Sequence, residues 1–280
     1  MKLVRFHDGR RAGQGLLEGE WVHVVAPADA GEDFDLPARG IAELAPLLQR
    51  DLPLLPLAAL TLLPPVSARS QLICVGINYA EHAAEIGHVA SGPPAVFLRH
   101  RRGVVGHGQP LRAPRSSPQF DYEGELAVVI GAGGRHITAA DAMRHVGGYS
   151  CFMDGSVRDF QRQSVSAGKN FPASGALGPW IVTANEVPDP AALHLQTRIN
   201  GQTVQSAPVA TMLHTVADLV AYCSTWTELR PGDVIATGTP AGVGSRCTPP
   251  RWLRPGDEVE VSVPGVGLLR NPVQAEDEGA

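Results

Sequence analysis

What the chain lacks narrows its chemistry first. No run approaches the ~20 consecutive apolar residues that a membrane-crossing helix needs, and the opening MKLVRFHDGRRAG has no apolar stretch of the secretory kind. A basic excess is missing too. Lys and Arg number 23 against 28 Asp and Glu, a formal net charge of -5, so nothing predicts a nucleic-acid or membrane partner. The four cysteines, Cys74, Cys151, Cys223 and Cys247, show neither CxxC nor CxxH spacing. They predict reduced thiols in a cytoplasmic protein rather than a disulfide or zinc framework. No GxSxG elbow and no GK[ST] P-loop occur, which excludes the commonest serine-hydrolase and nucleotide-binding signatures.

What remains is a chain of 280 residues, 44% hydrophobic, long enough to bury a large core. Residues 1 to about 30 read as short strands (LVRF, GLLEG, WVHVV), and 41–63 as short helices interrupted by Pro46, Pro53 and Pro56. LLPPVSARSQ closes this piece. A small N-terminal α+β unit over 1–68 and a catalytic unit over 69–280 are therefore expected. Beyond Leu72 strand signals dominate, among them LICVGI, AVFLR, ELAVVIG, GGYSCFM, PWIVT, DVIATGT and EVEVSV. Helical patterns are confined to Tyr79–Ile86, Thr138–His145, Ser156–Ser164 and Thr215–Thr225. Many strands with few helices predict an α+β, mainly β, architecture. Asn200-Gly201 suits a type I′ hairpin turn. LRPGD occurs at 229–233 and again at 253–257, a turn used twice ahead of a strand.

Four stretches carry candidate chemistry. In FDYEGELAVVIG, period-2 alternation puts Asp121, Glu123 and Glu125 on one face, continued by Ala127 and Val129. That face is either solvated or a cation site. Asp154, at the mouth of the strand GYSCFMDGS, favours the second reading with Glu123 and Glu125 as ligands. Three oxygen donors without a His/Cys cluster suit a hard cation, Mg²⁺ foremost, with Mn²⁺ or Ca²⁺ as alternatives. In GINYAEHAAEIGH, Asn78 and Glu81 fit a capping box for a helix ended by Gly87. His82 and Glu85 are then i and i+3, either an incidental surface pair or a base dyad. The following loop, GHVASGPP, is rich in small residues and suits a lid. In SAGKNFPASGALGP, Lys169 is expected in a loop, where it would offset the net -1 of three carboxylates and one divalent ion. In ATGTPAGVG, Thr237 and Thr239 flank Gly238 in a turn whose N–H groups can take a carboxylate.

Read in order, CVGINYAEHAAE, FDYEGELAVVIG, GYSCFMDGSVRDFQ, GKNFPASGALGPWIVT, RINGQTVQ and LRPGDVIATGTPAGVG resemble the fumarylacetoacetate hydrolase family, from about Leu72 to Val273. The resemblance implies a mixed β-sandwich or β-roll behind a small N-terminal domain, and a homodimer. It also implies Glu123, Glu125 and Asp154 as Mg²⁺ ligands, His82 and Glu85 as the lid dyad, and Lys169 as the substrate and enolate contact. Thr239 would touch the carboxylate of a keto-acid substrate; Gly238, Ser174 and Arg102 are further expected substrate contacts. The chain departs from the family at Met153, where an Asn is usual, at Pro172-Ala173-Ser174, and in the basic stretch Arg99–Arg102. The expected activity is hydrolysis of a C–C bond in a 1,3-diketo acid of the acylpyruvate type, within aromatic catabolism. The alternatives are a hydroxymuconate-type isomerase, an oxaloacetate decarboxylase, or a metal-dependent keto-acid binding protein without catalysis.

Overall fold

The computed structural model describes residues 1–26, 45–89 and 92–277. Its first strands are β1 (Lys2–His7), β2 (Ala12–Glu18), β3 (Trp21–Ala26), β4 (Leu54–Pro56) and β5 (Thr61–Leu63). There follow β6 (Leu72–Gly76), helix α1 (Ala80–Glu85), β7 (Ala95–Arg99), β8 (Val104–Val105), β9 (Leu111–Ala113) and β10 (Phe120–Asp121). The central strands β11 (Gly124–Ile130) and β12 (Val146–Met153) precede β13 (Ser156–Val157), helices α2 (Arg158–Gln161) and α3 (Val165–Lys169), and β14 (Gly175–Thr183). Then come β15 (His194–Ile199), β16 (Gln202–Pro208), helix α4 (Val216–Trp226), β17 (Val234–Ala236), β18 (Glu258–Val263) and β19 (Gly267–Ala275).

The fold is α+β and mainly β. A large mixed sheet runs β4-β3-β2-β1-β14-β12-β11-β17-β6-β7, with β5 on β1 and β8 on β14. A second sheet runs β16-β15-β18-β19-β9, and β10 pairs with β13. Strand β11 explains the layering. All seven of its residues are buried, because both faces are covered. Leu126, Val128 and Ile130 join the core shared with the second sheet, through Leu195, Val261 and Leu269, and with α4. Ala127 and Val129 point into the opposite core with Phe152, Leu177 and Ile181. Period 2 is intact, but neither face meets water. The N-terminal strands enter the same sheet, since Lys2 and Leu3 of β1 pair with Val182 and Ile181 of β14.

Local signals hold where the turn chemistry is self-contained. Ile199 pairs with Gln202, and Asn200 and Gly201 sit at φ +53° and +77°, the two positive values a type I′ turn needs. Both LRPGD copies fold alike: Arg230 N–H donates to Asp233 Oδ2 (2.8 Å) and Arg254 N–H to Asp257 Oδ2 (2.8 Å). Helix α4 opens on a capping box between Thr215 and Asp218.

Other expectations change. Within 41–63 the described part, from residue 45, holds 3₁₀ turns at Ala45–Gln49 and Leu57–Ala59 alternating with β4 and β5. Pro56, lacking an N–H, is tolerated because β4 lies at the edge of the sheet. Thr138–His145 yields only a 3₁₀ turn at Ala142–His145. Ser156–Ser164 starts extended, because Ser156 and Val157 pair with Asp121 and Phe120. The C-terminal tail is docked as far as described: Glu276 N–H donates to Ala113 O (3.1 Å), and Arg112 pairs with Asp277 (3.1 Å). In the expected lid loop, Ala90 and Ser91 lie outside the described residues, as do residues 41–44 and the last three. Among the described residues no helix is long and apolar enough to cross a membrane.

Candidate active site

Strand register gathers the acids. Gly124 pairs with Met153 and Glu125 with Phe152 across β11 and β12, so Glu123 and Asp154 are the next cross-strand neighbours. Asp154 N–H donates to Glu123 O (2.8 Å). Glu123 and Glu125 are two residues apart, and one oxygen from each of Glu123, Glu125 and Asp154 lies within 4.8 Å of the others. All three side chains are buried. Asp121 does not join them. The ladder breaks at Tyr122-Glu123, and Asp121 turns away to accept from Gly244 N–H (2.8 Å), Ser245 N–H (3.0 Å) and Arg158 Nε (2.7 Å).

Buried carboxylates need counter-charge. Lys169 Nζ sits 2.6 Å from both Glu123 Oε2 and Asp154 Oδ2. It is the last residue of α3 rather than a loop residue, on a helix that Ser164 caps. Arg158 Nη2 lies 2.6 Å from Glu123 Oε1. Arg99 Nη1 contacts Asp154 Oδ1 and donates to Gly155 O (2.9 Å). Burial opposes the charge on Glu123, yet Lys169 and Arg158 outweigh it and hold that carboxyl at about 2. Burial likewise opposes the charge on Lys169, and Asp154 and Glu123 raise its pKa above the ordinary value. Glu125 differs. Its one hydrogen-bond donor among the described residues is Gly238 N–H (2.9 Å). Burial first, then Asp154 and Glu123, push its pKa well above the usual carboxylate range.

This arrangement fits a divalent cation. The donors are all carboxylate oxygens, they converge, and the one lacking a Lys or Arg partner supplies the negative charge still to be neutralised. The cradle is tight there. Gly238 has φ +95°, and a Cβ on it would lie 2.8 Å from that of Asn78, so only glycine brings its N–H to Glu125.

Helix α1 supplies the wall of the site. Its N-cap is Tyr79 with no side-chain cap. Asn78, expected to cap it, instead donates to Thr237 O (2.8 Å) and His214 O (3.1 Å) and accepts from His214 N–H (2.8 Å). His82 Nδ1 lies 2.8 Å from Glu85 Oε2, and Glu85 Oε1 accepts from Gly242 N–H (3.0 Å). With Nδ1 donating to the carboxylate, Nε2 carries the free lone pair. A cavity of about 600 Å³ opens beside it, lined by His82, Glu123, Lys169 and Thr239. Thr239 Oγ1 donates to Gly124 O (2.9 Å) and accepts from Gln205 Nε2 (2.8 Å), while Gln205 Oε1 accepts from Gly124 N–H (2.9 Å).

The other expected substrate contacts lie elsewhere. Arg102 is exposed, turned out by the 3₁₀ turn Arg101–Gly103, and lies outside the cavity lining. Ser174 is fully buried and holds Arg99 Nη2 (2.8 Å) and Phe171 O (2.7 Å). Gly238 sits behind Glu125. Sequence reasoning missed Arg99, Arg158 and Gln205 as site residues. Three acids in one segment did signal missing cations, but no spacing rule names partners 35 or 55 positions away.

Comparison with known proteins identifies relatives of the whole chain. Residues 71–274 match the model of the fumarylacetoacetate (FAA) hydrolase C-terminal family. The human mitochondrial oxaloacetate tautomerase FAHD2A is 40% identical over 230 residues, 81% of this chain and 73% of that protein. The oxaloacetate tautomerase YisK of Bacillus subtilis is 37% identical over 276 residues, covering 95% and 92%. Among solved structures, the fumarylacetoacetate hydrolase EaFAH of Exiguobacterium antarcticum superposes with a TM-score of 0.85 at 36% identity, covering 99% of this chain and all of that one.

Proposed function

The chain belongs to the fumarylacetoacetate hydrolase family, and from that premise we propose that it catalyses keto–enol proton transfer next to the 2-oxo group of a 2-oxo acid. The observation that carries the reading is the His82–Glu85 pair opening on the same cavity as Glu123 and Lys169. Glu123, Glu125 and Asp154 would hold a divalent ion, Mg²⁺ or else Mn²⁺ or Ca²⁺. When bound, such an ion supplies Lewis-acid polarisation of the 2-oxo carbonyl.

The chain's own groups do the rest. Lys169, fixed by two carboxylates at 2.6 Å, places a positive charge where negative charge develops on the substrate oxygen. His82 takes a proton from the enol hydroxyl through Nε2 and returns one to C3. Glu85 fixes the tautomer and stabilises the imidazolium formed in between. Gly242 N–H holds Glu85 in that orientation. The similarity to two oxaloacetate tautomerases supports oxaloacetate as the first substrate to test.

Hydrolysis of an acylpyruvate-type C–C bond is the second reading. The cavity of about 600 Å³ has room for an acyl group beyond a four-carbon acid, and the same Nε2 can deprotonate water. A panel of enol-oxaloacetate, acylpyruvates and a hydroxymuconate semi-acid, each with metal and with chelator, separates the readings. Fast loss of enol-oxaloacetate absorbance with no C–C cleavage is expected. Cleavage of an acylpyruvate at a higher kcat/KM favours hydrolysis. Oxalate binding without any turnover leaves a keto-acid binding protein.

A further inference from the structure

The mouth of the cavity carries charge that the inner site does not use. Arg162 follows α2 and Arg246 ends the 3₁₀ turn Gly244–Arg246; both are exposed and both line the cavity. Arg162 Nη2 donates only to the neutral amide of Gln119 (3.0 Å). The guanidinium of Arg246 has no acidic partner among the described residues. Asp121 clamps the two segments to each other: it accepts from Gly244 and Ser245 on the Arg246 side and from Arg158 Nε on the Arg162 side. The two guanidinium groups are therefore carried on one buried hub rather than on independent loops.

Charge balance gives them a task. Four carboxylates, Asp121, Glu123, Glu125 and Asp154, already face three cations, buried Arg99 and Lys169 and partly exposed Arg158. Arg162 and Arg246 raise the cations to five, level with those four carboxylates and Glu85 beside His82, before any divalent ion is added. A divalent ion would then leave two positive charges in excess, of which a 2-oxo acid with a single carboxylate would compensate only one. A substrate with a second carboxylate at its far end matches it, and planar guanidinium groups suit that group geometrically.

We propose that Arg246 and Arg162 are specificity-determining residues that bind the distal carboxylate of a 2-oxo dicarboxylic acid. The proposal rests on the reading of this cavity as the substrate site and deepens it. The test measures binding to the metal-loaded protein of two inert probes of equal length, 2-oxoglutarate and 2-oxopentanoate, by calorimetry. Wild type should favour the diacid by about tenfold, as expected for two partly exposed charge pairs. That preference should shrink at high ionic strength. In Arg246→Gln with Arg162→Gln the diacid/monoacid ratio should fall toward one, and Arg246→Lys should restore part of it. Both residues are exposed, so circular dichroism and melting should match wild type. An unchanged ratio in the folded double variant overturns the proposal, as does equal binding of both probes by wild type. If the ratio responds as expected but enol-oxaloacetate is not turned over, the tautomerase reading fails and this one stands. If turnover is found with no diacid preference, the reverse holds.

Discussion

The floor and the wall of the cavity are built by opposite means. The floor is the junction of β11 and β12, where register alone sets Glu123 across from Asp154, and Lys169, Arg99 and Arg158 lock the carboxylates. The wall is α1, six residues long, uncapped by any side chain, and tied to the Gly-rich turn through Glu85 and Gly242. On the proposed function, cation binding would rest on the rigid scaffold and proton transfer on a marginal element.

Substitutions can break this contrast. On the floor, Asp154→Ala strands buried Arg99 without its carboxylate partner and leaves Lys169 with Glu123 alone, so unfolding in denaturant should show a loss of about 3–5 kcal/mol, with turnover abolished. On the wall, His82→Ala should lower kcat by about 10²–10⁴, the range of a lost general base, while stability changes by under about 1 kcal/mol. A large stability loss in that variant would erase the distinction between floor and wall. Glu85→Gln keeps the shape of the pair but removes its charge. It should cost on the order of 10–10² in kcat, with KM little changed, in steady-state assays. Gln205 joins the Gly-rich turn to the floor through Thr239 and Gly124. Gln205→Ala, which leaves the Gly124 N–H without its acceptor, should cost about 1–3 kcal/mol in thermal unfolding and raise KM more than it lowers kcat.

The same contrast explains what could be read from the sequence. Asn200-Gly201 and the two LRPGD turns were legible because their hydrogen bonds close within four residues. The acid trio was legible in outline, since alternation along a strand and an acid at a strand mouth are local patterns. Asp121 was not, because the ladder breaks at Tyr122-Glu123 and a 3₁₀ turn 123 positions away claims its oxygens. Asn78 has cap chemistry, yet Thr237 O and both backbone groups of His214 outcompete the helix end. Arg102 was chosen from a basic run, while strand direction turned Arg99 inward and a 3₁₀ turn sent Arg102 out. Pro56 fits an edge strand as readily as a helix break, so 41–63 could not be settled by proline count alone.

Glu125 offers the sharpest test, because among the described residues it is the member of the acid trio lacking a Lys or Arg partner. Thermal unfolding of wild type and Glu125→Gln should be followed with and without Mn²⁺, alongside calorimetric titration of the ion. The cation-cradle account predicts that wild type binds about one equivalent and melts higher with metal. It predicts that Glu125→Gln, relieved of like-charge repulsion, is at least as stable without metal but neither binds nor responds to it. Equal metal binding by the two proteins, or a metal-free variant markedly less stable than wild type, would contradict it.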